Sequence, residues 1–212
     1  MPKVEYHFTG PDGTNHADQL LNFARQIGLE RAAPGRYSML LVLHLWGGFA
    51  SRRLNPGKIV DEILALEGRG RGSLTKAPIQ NKYPPLKGLW HKHYLPDGMR
   101  SFAMNIRRGL AKYGLPLFEE RAREAQESGE ERFLTEEDVN ALSYDATIGN
   151  WERLAGEKAV TGEWIMYARH DGENYYLCLG SHDKSQHEHL RQQIDVVCCL
   201  EFPFLEALLA TG

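Results

Sequence analysis

Two aromatic, β-prone runs late in the chain, 161–170 (TGEWIMYARH) and 174–181 (NYYLCLGS), constrain the fold more than any other feature. Asp171, Gly172 and Glu173 lie between them. Runs of this composition around a short Gly-containing turn predict an antiparallel β-hairpin over about 161–181. Everything upstream has a different period. Ala17, Leu20, Leu21, Ala24 and Ile27 recur at three- and four-residue spacing, which predicts a helix from His16 to Leu29 with Asn15 as its cap. Ile59, Ile63 and Leu66 predict a second helix over 57–67. The continuous apolar run 37–46 (YSMLLVLHLW) fits a buried strand or a buried helix equally. Residues 1–13 read as an extended segment closed by a Pro-Asp-Gly turn.

Over 98–113 a wheel places Met99, Phe102, Ala103, Ile106 and Leu110 on one face. Arg100, Asn105, Arg107, Arg108 and Lys112 occupy the other, and Asp97 stands where a cap would be. Residues 119–138 reverse the charge, with nine acids against three arginines. That composition predicts a solvated helix, interrupted at Ser128-Gly129 and followed by a short helix capped by Thr135 and Asp138. Residues 184–210 predict a helical terminus broken at Pro203.

Helices first, a hairpin late and no regular strand–helix alternation indicate an α+β fold. The expected organisation is a single α+β domain over 1–212: several amphipathic helices, a small antiparallel sheet and an exposed acidic helical excursion at about 117–140. A boundary near residue 130 is the alternative. At 212 residues such a chain can bury a core without disulfides. Its three cysteines, Cys178, Cys198 and Cys199, lie in apolar surroundings and predict packing rather than a disulfide framework, which fits a cytoplasmic setting. No apolar stretch approaches the length needed to span a bilayer, so no membrane association is expected.

Positive charge is concentrated in one stretch, 76–112 (KAPIQNKYPPLKGLWHKHYLPDGMRSFAMNIRRGLAK), which holds eight Lys or Arg against the single acid Asp97. The whole chain carries a formal charge of −3, so the basic character is local. Basic side chains interleaved with Tyr83, Trp90 and Tyr94 suit a phosphate backbone with bases that stack. Within GLWHKHY, extended backbone would turn His91 and His93 to one side and Lys92 to the other. Two imidazoles on one face can divide the work of general base and general acid, which is what RNA cleavage through its own 2′-hydroxyl requires without a metal. Lys87, Lys92 or Arg107 could neutralise the developing phosphorane charge.

The expected site therefore comprises His91, His93 and Lys87, with His182 as a third catalytic group if the hairpin end lies against this arm. Lys82, Tyr83, Trp90, Lys92, Arg100, Arg107 and Arg108 would hold nucleic acid. The alternating Gly68, Gly70 and Gly72 with Arg69 and Arg71 match no phosphate-loop spacing and read as a mobile loop. His44, inside LLVLHLW, reads as a satisfied core histidine. His182, Asp183, His187 and His189 would be the ligand set of a metal-dependent phosphoesterase, a third-ranked reading; the leading one needs no metal or cofactor. No zincin, zinc-deaminase or nucleophile-elbow pattern occurs.

In outline, a compact α+β domain with a late aromatic hairpin and a basic, histidine-bearing arm is similar to metal-independent ribonucleases, including toxin-type ones. The basic arm itself makes RNA, or another phosphate-rich polymer, the expected partner, with an acidic protein inhibitor masking that arm as a further one. No diagnostic motif matches residue by residue, so no catalytic assignment is carried over from that resemblance. The alternative from a different class is a non-catalytic module that grips nucleic acid or an acidic protein.

Overall fold

The computed structural model describes residues 6–9, 13–129 and 133–210. The chain is α+β, as its pattern predicts. Helices α1 (Ala17–Gln26), α2 (Leu29–Ala32), α3 (Met39–Ala50) and α4 (Pro56–Leu66) come first. A four-stranded sheet follows in the order β1 (Ile79–Gln80), β2 (Trp90–Tyr94), β3 (Glu163–His170) and β4 (Glu173–Gly180), with every neighbouring pair antiparallel. Between β2 and β3 run α5 (Met99–Tyr113), α6 (Pro116–Glu127), α7 (Glu136–Tyr144) and α8 (Asn150–Gly156), the last two joined by a π-helical turn at Asp145–Gly149. After β4 come α9 (His187–Gln193), a second π-helical turn (Ile194–Cys198), α10 (Cys199–Glu201) and α11 (Phe204–Ala210). The turn expected at 11–13 lies outside the described residues except for Gly13.

The ambiguous run 37–46 resolves as a helix. Ser38 accepts a hydrogen bond from Leu41 N and starts α3, whose continuous apolarity reflects burial against helices on one flank and β4 on the other. The exposed edge of β4 is closed by this segment. Tyr176 N donates to Arg36 O at 2.8 Å, Ser38 N donates to Tyr176 O at 2.9 Å, and Leu179 N donates to His44 Nδ1 at 3.2 Å. His44 is thus a satisfied core histidine, and burial pushes its pKa down.

The sheet separates two cores. On one face Tyr94, Ile165 and Tyr167 pack against Leu20, Phe23, Leu41, Leu45, Ile59 and Ile63 of α1, α3 and α4. On the other, Trp164, Met166, Ala168 and Cys178 pack against Leu190, Ile194, Cys198, Phe202 and Leu205 from the C-terminal helices. Cys178 and Cys198 are buried there, which raises both thiol pKa values, that of Cys198 to about 12. Pro203 breaks the terminal helix where expected, between Glu201 and Phe204.

Three local expectations are corrected. Asp97 does not cap α5: the cap position is Gly98, and the Asp97 carboxylate pairs with Lys58 instead. The face of α5 that packs is not its apolar one. Ser101, Asn105 and Gly109 are buried, whereas Met99 is 79% exposed and Phe102 and Leu110 remain exposed. Asn105 drives this choice by donating to Thr161 O at 2.8 Å and accepting from Thr161 N at 3.0 Å, which ties α5 to the start of the hairpin. Gly109 permits it, because a Cβ there would stand 2.9 Å from Asn150 Cβ and 3.0 Å from its carbonyl oxygen. Third, the 68–73 loop is not featureless. Its three glycines all take positive φ, and Arg69 turns back to the carbonyls of Arg31 and Ala32 at the end of α2.

The acidic stretch behaves as a solvated helix. No residue of α6 is buried, and it ends at Ser128-Gly129. A capping box between Thr135 and Asp138 starts α7, with Asp shorter than the usual Glu but still within reach.

Candidate functional site

β2 presents its alternate side chains to opposite faces, and the two faces have different fates. Trp90, Lys92 and Tyr94 turn toward the helical core, His91 and His93 toward the C-terminal helices. Lys92 is 3% exposed. Its ammonium donates to Ser73 Oγ (2.7 Å), Thr75 Oγ1 (2.6 Å), Thr75 O (3.2 Å) and Lys76 O (2.7 Å), with Glu62 Oε2 at 3.4 Å. It pins the 73–76 segment under the sheet, so it is no contact for an external phosphate. Trp90 likewise has a tenant, the Arg169 guanidinium, 3.9 Å from its ring centre. That ring face is not open to a base.

On the other side of β2 the rings converge on Trp164. His91 stacks on the indole at 4.2 Å between centroids, and His93 meets it edge-on at 6.5 Å. His182, just beyond β4, lies 4.9 Å from Trp164 and 5.3 Å from His93. His187, at the start of α9, lies 5.3 Å from Trp164. The hairpin end thus lies against the arm, the condition under which His182 joins His91 and His93. His170, at the opposite end of the hairpin, stacks on Phe204 and takes no part.

Hydrogen bonds fix the tautomers. Asn81 Nδ2 donates to Leu89 O, so its Oδ1 faces His91, whose Nδ1–H donates to it at 3.0 Å. His182 Nε2–H donates to Gly162 O and His187 Nε2–H to Ser181 O, both at 2.9 Å. In both rings Nδ1 is therefore the nitrogen not engaged by the backbone. Trp164 Nε1–H donates to His93 Nε2 at 3.3 Å, which leaves the proton of neutral His93 on Nδ1. That Nδ1 is buried without a partner, on a side chain only 2% exposed. A buried donor left unmatched costs about 1–3 kcal/mol.

The field at the cluster is positive. Burial depresses His91 to about 4, helped by His182, His187 and Lys76. Burial depresses His93 to about 3, helped by His91, His182, Lys76 and Lys92. Lys76 is itself pushed down, by burial and by the Arg108 charge, and forms no ion pair among the described residues. Arg108 donates to Ala159 O at 2.7 Å, which anchors the charge that acts on Lys76. Asp183 does not orient an imidazole. Its Oδ1 accepts from Ser185 N and Ser185 Oγ, which starts the turn into α9.

The remaining expected residues lie around this centre or away from it. Lys82, Tyr83 and Lys87 are exposed in the loop between β1 and β2, Tyr83 at 78%. Arg100 and Arg107 are exposed on α5, and Arg100 adds to the positive field felt by Asp183. Among the described residues no three His, Cys, Asp or Glu side chains converge as metal ligands, so the proposed set of His182, Asp183, His187 and His189 is not assembled as one. Trp164 and Lys76 are the members that sequence reasoning did not single out. Both sat in stretches already marked, the hairpin and the basic run, but the β2–β3 register brings Trp164 to the histidines, and the bonds of Lys76 O to Lys92 and of Lys76 N to Val160 O place Lys76. Comparison of the chain with family models, with curated proteins and with solved structures gave no match.

Proposed function

We propose that the histidine cluster on Trp164 binds a phosphate-bearing polymer, RNA foremost, and that the protein cleaves it without a metal. The observation that carries this reading is the buried Nδ1–H of His93, an orphan donor in a cluster of imidazoles near Lys76, which forms no ion pair among the described residues. A phosphate oxygen would supply the missing acceptor and the missing negative charge together. The division of labour differs from a simple His91/His93 pair. Groups held near 4 and 3 are neutral at pH 7 and cannot serve there as acids, so His91 and His93 suit binding and the stabilisation of developing charge. His182 is exposed and His187 half-buried, each held by a backbone carbonyl through Nε2, so their Nδ1 atoms suit proton transfer to and from the 2′-hydroxyl and the leaving oxygen. Arg100 and Arg107 extend the positive surface along a bound strand, and an acidic protein could mask it.

The test is incubation with mixed cellular RNA in EDTA, comparing the protein with His182→Ala/His187→Ala. Cleavage by the parent protein that the double variant loses supports the assignment. A second reading, a binding module without turnover, is favoured by the neutrality of the two inner histidines. Salt-dependent RNA retention without cleavage would select it.

A further inference from the structure

Beside the histidine cluster, round the end of β4, lies a cavity of about 300 Å³ with both apolar and polar lining. His187 belongs to both: its ring contacts Trp164 and also lines this cavity. The opposite side is formed by Glu163 and Tyr94, which face each other across the β2–β3 ladder. Gln186 and Gln193 supply amides from the C-terminal segment. One carboxylate oxygen of Glu163, Oε2, is buried without a hydrogen-bond donor. The neighbouring cluster holds a donor without an acceptor, whereas here one carboxylate oxygen has no donor.

We infer that this cavity is a nucleobase subsite in which Glu163 selects guanine. The inference rests on the phosphate reading of the histidine cluster given above. A carboxylate only accepts hydrogen bonds, and its two oxygens match two adjacent N–H donors. Guanine presents such a pair, its ring N1–H and exocyclic amino group. Adenine and cytosine set a ring acceptor beside their amino group, and uracil flanks its single N–H with two carbonyls. Each of these would bring lone pairs against the carboxylate. The amides of Gln186 and Gln193 can donate to the guanine O6. Base recognition through the Watson–Crick edge is the usual route by which proteins read single-stranded RNA, and the cavity accommodates one base. His187, shared by the cluster and the cavity, is the border that a nucleotide with its phosphate at the cluster would cross to place its base here.

Calorimetric titration with the four nucleoside 3′-monophosphates and with inorganic phosphate tests this. Guanosine 3′-monophosphate should bind at least about tenfold tighter than the other three, the range expected of one good bidentate base contact. In Glu163→Gln, whose amide oxygen can accept only on one side, that preference should collapse while inorganic phosphate binds as before. Equal binding of all four nucleotides, or a guanine preference that survives Glu163→Gln, overturns the subsite and leaves the phosphate reading standing. Failure of every nucleotide and of inorganic phosphate to bind overturns both.

Discussion

The two faces of strand β2 carry basic groups of equal prominence in the sequence and opposite circumstances in the fold. Lys92 is inside, and four hydrogen bonds and a carboxylate answer its charge. His91 and His93, one residue to either side, are also inside, yet the groups acting on them are positive and one ring nitrogen has no partner. The first arrangement is answered within the chain, although Glu62 Oε2 meets the ammonium only as an ion pair at 3.4 Å, without a hydrogen bond. The second leaves one buried donor, His93 Nδ1–H, without an acceptor. Charge density along a sequence marks both alike; only the inventory of partners separates a structural tie from a site.

The largest expected effect lies on the Lys92 side. Lys92→Ala leaves Glu62 half-buried without its cation and removes the donor shared by Ser73, Thr75 and Lys76. Loss of one member of a buried ion pair should destabilise the protein by about 3–5 kcal/mol. Urea unfolding at pH 7 measures it. A loss below about 1 kcal/mol, the value of an exposed pair, would show that Lys92 is not the tie described here.

The second effect concerns pH, and it belongs to the histidine side. Both histidines have folded-state pKa values depressed below the unfolded value of 6.5, to about 4 and about 3. In that window the unfolded chain takes up protons that the folded chain refuses. Their contribution is therefore complete above pH 6.5 and is lost as pH falls toward 4 and then 3. The steepest loss is about 1.4 kcal/mol per pH unit for each histidine. His182, His187, Lys76 and Lys92 sharpen the effect by their charge. Saturating phosphate should flatten it, because an anion at the cluster favours the imidazolium forms. An acid limb unchanged in His91→Phe/His93→Phe would remove these residues from the account.

Much of the fold was legible because short-range patterns carry it. The hairpin followed from aromatic runs around Asp171-Gly172, and α6, α7 and the Pro203 break followed from charge, capping and proline. What was not legible depended on partners distant in sequence. α5 shows a clean apolar stripe, yet the chain buries Ser101, Asn105 and Gly109 because Asn105 satisfies Thr161 and Gly109 admits Asn150. Periodicity reports which face is greasy, not which face has a better neighbour. The site was legible in half. Alternation in β2 placed His91 and His93 together and sent Lys92 away from them. It could not give the β2–β3 register that adds Trp164, nor the fold-back of α9 that turns His187 from a suspected metal ligand into a wall of the cluster.

A smaller effect sharpens the contrast between the two faces. His93→Phe keeps a ring of similar shape against Trp164 and deletes the orphan Nδ1–H. It also deletes the acceptor of Trp164 Nε1–H, so the two changes oppose each other. Stability at pH 7 should move by no more than about 1 kcal/mol, against the several expected for Lys92→Ala. Phosphate binding should nonetheless be lost. A variant that binds phosphate as before would place the anion elsewhere.

The smallest effect on stability should come from the periphery. Arg107 is exposed on α5, where solvent already serves its charge, so Arg107→Ala should change the unfolding free energy by less than about 0.5 kcal/mol. If its role is to meet a strand leaving the cluster, its signature is in salt dependence instead. Each phosphate contact removed should lower the slope of log affinity against log salt by about one. The same substitution at Lys92 would weaken binding through the fold, with a loss of folded protein and no change of slope in what remains folded. An unchanged slope in Arg107→Ala would confine the nucleic-acid contact to the cluster and its loop, and would make the basic face of α5 a solvated surface.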